Sequence, residues 1–402
     1  MEITVQASVY SAERTAKNAT IHLESAQAVC DLPLTLTQNC IAYPPFINSH
    51  DHLVGNWDPR AGDNRPYSNT DIWVEEMKYS ASYLERNKVW INDGTFRLLE
   101  GTAYRLYMLG CYKNLFSGCV AVQDHGPNQK PAYYDSFPIH VIRDYRQCHS
   151  ISLGNWWGGK SAREEWESTN GEMPFITHLA EGTDERSKSC YPRFKELGLA
   201  QPNTLIVHGI AMTPEDIADC AANGVSICVC PESNIFLIGK TIDMDACRKY
   251  GVNVVIGTDS TMSGSTNILT EIRRFREIFP HIPANEIFAM ITANAQRALL
   301  LDDSYGTLQE SNKHLLLMAA HTSDPYENLF HSTMHDVELL VYDGTPIYGN
   351  AAMLNHFHHD PADYFFFAHD GHKRFVKGHP EKISAEIDAA LGYHKHLPYI
   401  PY

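Results

Sequence analysis

Short apolar runs rich in β-branched residues alternate along this chain with longer stretches of helical period. CVAV at 119–122, PFIT at 174–177, TLIV at 204–207, VSICV at 225–229 and VVIGT at 254–258 have the length and composition of buried strands. Between them the spacing predicts helices over 97–114, 184–197, 243–250 and 267–279. Thr213-Pro214-Glu215 would cap and start a further helix that Gly224 closes, and Gly251 ends the one before residue 254. Strands separated by helices imply parallel pairing through right-handed crossovers. Eight such α/β units would close a (β/α)8 TIM barrel, with functional residues at the C-terminal strand ends. Residues 125–174 break the repeat: a helix-like 137–146, a strand at 147–153 and a short helix near 162–167 leave one βα unit missing or distorted.

Outside the repeat the period shifts to two. Residues 19–23 and 34–37 read as strands, and 336–344 with 346–348 as a hairpin. This assigns a small β-sandwich to 1–43 and 306–350, the barrel to 44–305 and a C-terminal extension to 351–402. The extension holds eight histidines, interleaved with aromatics such as those at 364–367, at no ligand spacing. It is expected to pack on the barrel or on a second subunit, so a homodimer is one expected assembly.

Composition narrows the class. A chain of 402 residues with 44% hydrophobic content can bury a large core. The net charge of -16 is spread without long blocks of one sign, which argues against a nucleic-acid surface. The start lacks a basic segment followed by an apolar one, and no apolar run reaches membrane-span length; a cytoplasmic protein without membrane association is expected. Ten cysteines without a CxxC pair fit reduced thiols used for packing.

Candidate chemistry concentrates where the strand-like runs end. His50-Asp51-His52 follows the apolar YPPFI at 43–47, and in a strand the two imidazoles share one face while Asp51 points elsewhere. His125, His178, His208 and Asp259 each follow another such run. A single histidine after a strand is more often a satisfied structural residue. The ordered series reads instead as a metal site built on strand ends.

The same residues carry a family resemblance. PFINSHDHL at 45–53, THLAE at 177–181, VHG at 207–209, CPESN at 230–234 and GTDS at 257–260 stand in the order used by the amidohydrolase superfamily, and resemble most its guanine deaminase and chlorohydrolase branch. TANAQR at 292–297 and GTL at 306–308 resemble the family's return from barrel to sandwich. KHLL at 313–316 departs from the family's Ala-Asp-Leu, and the middle barrel unit is compressed. The resemblance implies His50, His52, His178 and Asp259 as ligands of one divalent ion, a mixed nitrogen and oxygen set that suits zinc, with iron or manganese as alternatives. Bound zinc lowers the pKa of its water from about 16 to about 7, which makes hydroxide available. The resemblance further implies Glu181 as proton shuttle, His208 as hydrogen-bond partner of the hydroxide or the tetrahedral intermediate, and Asp259 as ligand and proton acceptor. The expected reaction is hydrolytic deamination of a small nitrogen heterocycle; the alternative is cyclic-amide C–N ring hydrolysis of the imidazolonepropionase type. Trp57, His125, Trp156 and Asn234 are the expected substrate contacts, with Trp73, Trp157, Glu75, Glu76 and Ser260 as further candidates.

One rival motif meets part of its structural context. GNWWGGKS at 154–161 satisfies the P-loop pattern, follows a strand and precedes a short helix, which makes a nucleotide-phosphate site the distant alternative. Two bulky tryptophans in a loop that must wrap phosphates argue against it. The GKT at 239–241 lacks the first glycine, Asn234 standing there.

Overall fold

A computed structural model describes the chain outside residues 30–33, 36–38, 93–94, 97–100, 128, 155–158 and 370. Among the described residues eight strands make up the barrel-like repeat. We number them β1 (Phe46–Asp51), β2 (Cys119–Asp124), β3 (His140–Ile142), β4 (Arg146–Ser150), β5 (Phe175–Leu179), β6 (Thr204–His208), β7 (Ser226–Val229) and β8 (Asn253–Ile256). They form two parallel arcs, β1-β2-β3 and β4-β5-β6-β7-β8, in the chain order of an eight-stranded barrel. The apolar strands are buried throughout, as expected of parallel strands covered on both faces.

Among the described residues no ladder joins β3 to β4, and the reason is covalent. Only residues 143–145 connect them. Adjacent parallel strands need a crossover of a dozen or more residues, so these two cannot pair. The helix expected at 137–146 is therefore corrected: the segment holds the short strand β3, preceded by a single 3-10 turn, Pro131–Tyr133. The strand expected at 147–153 is β4, and the helix near 162–167 is Ala162–Glu167. At the other seam no ladder joins β8 to β1 among the described residues either; instead the Asp259 N–H donates to the His50 carbonyl at 3.0 Å.

Helix boundaries follow local chemistry. Thr213 caps Pro214–Ala222 in a reciprocal box with Asp216, and Asp243 and Asn267 cap Met244–Tyr250 and Ile268–Ile278. Gly251 ends Met244–Tyr250 with φ 73°, a left-handed geometry that favours glycine. Ile268–Ile278 buries Ile268, Leu269, Ile272 and Phe275, one stripe at helical spacing. The predicted helix start at 97 lies outside the described residues; the helix runs Gly101–Phe116.

Strands from both chain ends build one nine-stranded sheet. Its central strand Leu315–Ala319 pairs antiparallel with Cys40–Tyr43 on one side and Val337–Tyr342 on the other. Leu316 and Met318 join the barrel core while Leu315 and Leu317 join a smaller core on the opposite face, which explains an apolar run without alternation. The predicted hairpin is present: Asp343 (φ 46°) and Gly344 (φ 71°) link Val337–Tyr342 to Thr345–Asn350 in a two-residue turn with both central residues left-handed. The sheet continues past residue 350 through the hairpin Tyr364–His369 and His372–Lys377. Beyond it, Leu397 and Tyr399 are buried on the chain's own barrel. No helix among the described residues is long and apolar enough to cross a membrane.

Candidate active site

The strand ends converge as their sequence positions suggest. His50 and Asp51 close β1, His178 lies one residue inside the end of β5 and His208 closes β6, paired in register with Leu179. Asp259 follows β8 by three residues. Three ligand-like groups result among the described residues, His50 with His178 and His208, His125 with His149 and His178, and His50 with His52 and Asp259, each with one ligand atom per residue lying within 4.8 Å of the others. Imidazole centroids of His50 stand 4.9 Å from those of both His52 and His178.

Hydrogen bonds behind the rings set their tautomers. His178 Nδ1 lies 2.6 Å from the His149 carbonyl, which can only accept, so Nδ1 carries the proton and Nε2 presents a lone pair. His208 Nδ1 donates to Asn234 Oδ1 at 2.8 Å, and the Asn234 amide is oriented by its own bond to Thr241 Oγ1 at 3.0 Å. His50 Nδ1 faces Gln123 Oε1 at 3.4 Å, and its buried Nε2 has no hydrogen-bond partner. Asp259 is held by Ser233 Oγ (2.8 Å) and Ser263 Oγ (3.0 Å) on Oδ2 and by the Ser260 N–H (2.7 Å) on Oδ1. Its Oδ1 lies 3.6 Å from His52 Nε2. His50, His178, His208 and Asp259 thus each have one polar atom engaged behind the site, the kind of support that orients metal ligands. Electrostatics agree. Burial, reinforced by the neighbouring rings, holds His50, His125 and His178 well below the usual imidazole range. Burial opposes ionisation of Asp259, but His52, His50 and His208 outweigh it and hold the carboxyl below its ordinary value. Neutral imidazoles and an ionised carboxylate are the protonation states that bind metal.

Glu181 reaches the same centre from the loop after β5. Its Oε1 lies 3.5 Å from His208 Nε2. Burial raises its carboxyl above the ordinary range, although His208 and Thr70 act in the opposite sense. Thr70 also fixes the Glu181 main chain, its N–H and hydroxyl both donating to the Glu181 carbonyl at 3.0 and 3.1 Å. Ala180, His208 and Asp259 adopt positive φ of 54°, 74° and 55°, backbone strain gathered at this one place.

A cavity opens over these groups. His52, His125, His178, Glu181, His208 and Asp259 line it, together with Ser260 and with Trp73 from the helix Thr70–Met77. Three expectations are corrected. Trp57 does not face the cavity: the 3-10 turn Leu53–Trp57 folds against the barrel core, the indole is 3% exposed, and Lys395 lies over its ring. Asn234 supports His208 and lies behind it, outside the cavity lining. Glu75 pairs with Lys78, and Glu76 accepts from Tyr67 and Asn64, neither lining the cavity. Trp156 and Trp157 lie outside the described residues. Of the P-loop pattern, Ser161 is the N-cap of Ala162–Glu167 and the Lys160 N–H donates to the Glu165 carboxylate at 3.0 Å, so that amide is already taken by an anion of the chain itself.

Sequence reasoning overlooked His149 and Lys113, whereas the candidate Trp73 does line the cavity. His149 stands one residue inside the end of β4, and the strand-end rule that flagged the other histidines applies to it. It lines the cavity, and desolvation brings its pKa down to about 3.

Residues 149–330 match the amidohydrolase family. A 5-methylthioadenosine/S-adenosylhomocysteine deaminase from Moorella thermoacetica is 30% identical over 319 residues, covering 69% of this chain and 73% of that protein. The chain belongs to the amidohydrolase family. A second deaminase of the same name, from Caldicellulosiruptor saccharolyticus, is 28% identical over 363 residues, 79% of this chain and 82% of its own. Among solved structures, the zinc complex of atrazine chlorohydrolase from Arthrobacter aurescens matches this amidohydrolase with a TM-score of 0.64 at 19% identity, covering 86% of this chain and 94% of that one. An adenosine deaminase from Xanthomonas campestris with bound zinc matches with a TM-score of 0.62 at 15% identity, over 86% and 92% of the two chains. Both share the fold.

Proposed function

We propose that this amidohydrolase is a metal-dependent deaminase that replaces the exocyclic amine of a small nitrogen heterocycle by hydrolysis, with an adenine nucleoside as its substrate class. His50, His52, His178 and Asp259 would hold the ion, for which zinc is our choice because the neighbouring structures carry it. When bound, such an ion supplies Lewis-acid activation of a water near neutral pH. The observation that carries the reading is the meeting of Glu181 with His208 at 3.5 Å beside that ligand group, inside a cavity.

The chain's own groups divide the proton transfers. Glu181, kept protonated more readily than an ordinary carboxyl by its burial, delivers its proton to the ring nitrogen, takes up the proton of the newly added hydroxyl and passes that to the departing amine, and is reset by the proton that Asp259 has taken from the water. His208 keeps its Nδ1 proton on Asn234, so Nε2 accepts a hydrogen bond from the attacking water. Asp259, ionised and fixed by Ser233 and Ser263, takes up a proton from the same water. His125, His149 and Trp73 line the wall where the heterocycle would stack. Relatives named for 5-methylthioadenosine/S-adenosylhomocysteine and for 5'-deoxyadenosine support an adenine nucleoside as the class. Free, buried thiols at the described cysteines fit a reducing, cytoplasmic setting.

Metal content of the wild type and of His50→Ala and Asp259→Ala, followed by ammonia release from aminated purine nucleosides, tests the proposal. Stoichiometric metal in the wild type only, with ammonia release that Glu181→Gln lowers by roughly 10²- to 10⁴-fold, is the expected result. Full activity in Glu181→Gln refutes the assignment. A product heavier by one water with no ammonia released would favour ring opening.

A further inference from the structure

Lys113 projects from the helix Gly101–Phe116 and is completely buried. Five acceptors surround its Nζ: Asp51 Oδ1 and Oδ2 at 3.2 Å each, Asn56 Oδ1 at 2.8 Å, Thr258 Oγ1 at 3.0 Å and the Asp259 carbonyl at 2.9 Å. Asp51 is equally buried and is further bonded by Asn114 Nδ2 and Asn56 Nδ2, both at 2.9 Å. A buried ion pair is weak evidence for stability, since apolar residues of similar volume often do as well. Its location offers another reason.

Asp51 separates His50 from His52 and points to the opposite face of β1. Thr258 and Asp259 belong to the segment that leaves β8. The ammonium therefore holds the two ligand-bearing segments across the β8 to β1 seam, one of the two seams where no ladder runs among the described residues. Asn48 reinforces the bridge, its Nδ2 donating to Thr258 Oγ1 at 2.8 Å and its Oδ1 accepting from the Thr258 N–H at 3.1 Å.

We propose that Lys113 and Asp51 are positioning residues: their buried pair fixes the separation between the His50 and His52 rings and the Asp259 carboxylate, and so preorganises the donor set for the ion. The proposal rests on the metal reading above. It predicts that loosening the pair weakens metal binding beyond any loss of fold stability, because supporting bonds behind metal ligands typically carry roughly 10- to 100-fold in affinity.

The test uses metal-free wild type, Lys113→Met, Asp51→Asn and Thr258→Val. Asp51→Asn keeps the volume and an acceptor, and Thr258→Val removes a single acceptor, so these remain informative should Lys113→Met fail to fold. For each folded variant, zinc affinity is measured by chelator competition, the cobalt(II)-substituted protein by its visible absorption, and the metal-free protein by its thermal midpoint. The expected result is a fall in zinc affinity of roughly 10- to 100-fold with a shifted cobalt spectrum. Lower thermal midpoints with unchanged zinc affinity and cobalt spectrum would overturn the positioning role and leave the metal reading intact. A wild type that takes up no divalent metal would overturn the metal reading and this proposal with it.

Discussion

Replacing Asp58 by asparagine should stabilise the protein, and more so as pH rises. Asp58 follows the turn Leu53–Trp57, is 3% exposed, and neither carboxylate oxygen has a hydrogen-bond partner. Burial raises its pKa from 3.8 to about 8, outweighing the opposing influence of Lys395 and Arg86, with Glu85 adding to the rise. Between those two values the folded chain keeps a proton that the unfolded chain releases. The folded state therefore binds more protons, and stability falls as pH climbs through this window. At 1.36 kcal/mol per pH unit, the cost is about 2 kcal/mol at pH 5.5 and about 6 kcal/mol above pH 8. Asparagine never ionises, so its benefit should grow by about 3 kcal/mol between pH 5.5 and pH 8.5. Taking an unfolding entropy of about 2.1 cal/mol/K per residue over the chain, that is about 4 °C in thermal midpoint. Thermal unfolding of metal-free wild type and Asp58→Asn at pH 5.5, 7.0 and 8.5 measures it. A benefit independent of pH, or a loss at pH 8.5, would refute the reasoning and show that Asp58 is ionised and paired with Lys395 or Arg86.

Asn234→Ala should leave metal content intact while lowering kcat by roughly 10- to 100-fold, because His208 loses the acceptor that fixes its Nδ1 proton; unchanged kcat would separate the tautomer from turnover. In Gly257→Ala the new Cβ would stand 2.5 Å from His50 Cβ and 2.8 Å from His50 N, with Cys228 Sγ at 2.9 Å. The seam must open, and a loss of about 1–3 kcal/mol in denaturant unfolding is expected. Deleting residues 393–402 removes the Tyr399 hydroxyl bond to the Asn56 carbonyl (2.9 Å) and the Lys395 bond to the Trp57 carbonyl (2.9 Å). The thermal midpoint should fall while the oligomeric state by light scattering stays the same, since Leu397 and Tyr399 are buried within one chain.

What the sequence revealed depended on the range of the causes involved. His178 and His208 at their strand ends were legible because a few consecutive apolar residues define both the strand and the residue near its end. Helix limits at Thr213, Asp243, Gly251 and Asn267 were legible because caps act over three or four residues. β3 was not, since three residues carry no measurable period and 137–146 offered a competing helical spacing. Trp57 and Asn234 were misplaced because orientation toward or behind a cavity is settled by packing partners far along the chain: Lys395 lies over the Trp57 ring, and the Asn234 carbonyl is taken by His208. Lys113 is the extreme case. A lysine in a helix is exposed by every compositional prior, and its five acceptors come from residues 51, 56, 258 and 259.

The strain at the site and the bonds around it form one arrangement. Ala180, His208 and Asp259 each take left-handed backbone, which for residues with a Cβ costs of order 1–3 kcal/mol apiece. Each lies next to a hydrogen bond that ties neighbouring strand ends: the Ala211 N–H donates to the Ala180 carbonyl at 2.9 Å, the Gly209 N–H to the Leu179 carbonyl at 3.0 Å, and the Asp259 N–H to the His50 carbonyl at 3.0 Å. Without the reversal of direction, β6 and β8 would carry His208 and Asp259 onward along their strands, away from His50 and His178. The strained residues are thus the points at which relaxation to ordinary backbone would scatter the ligands.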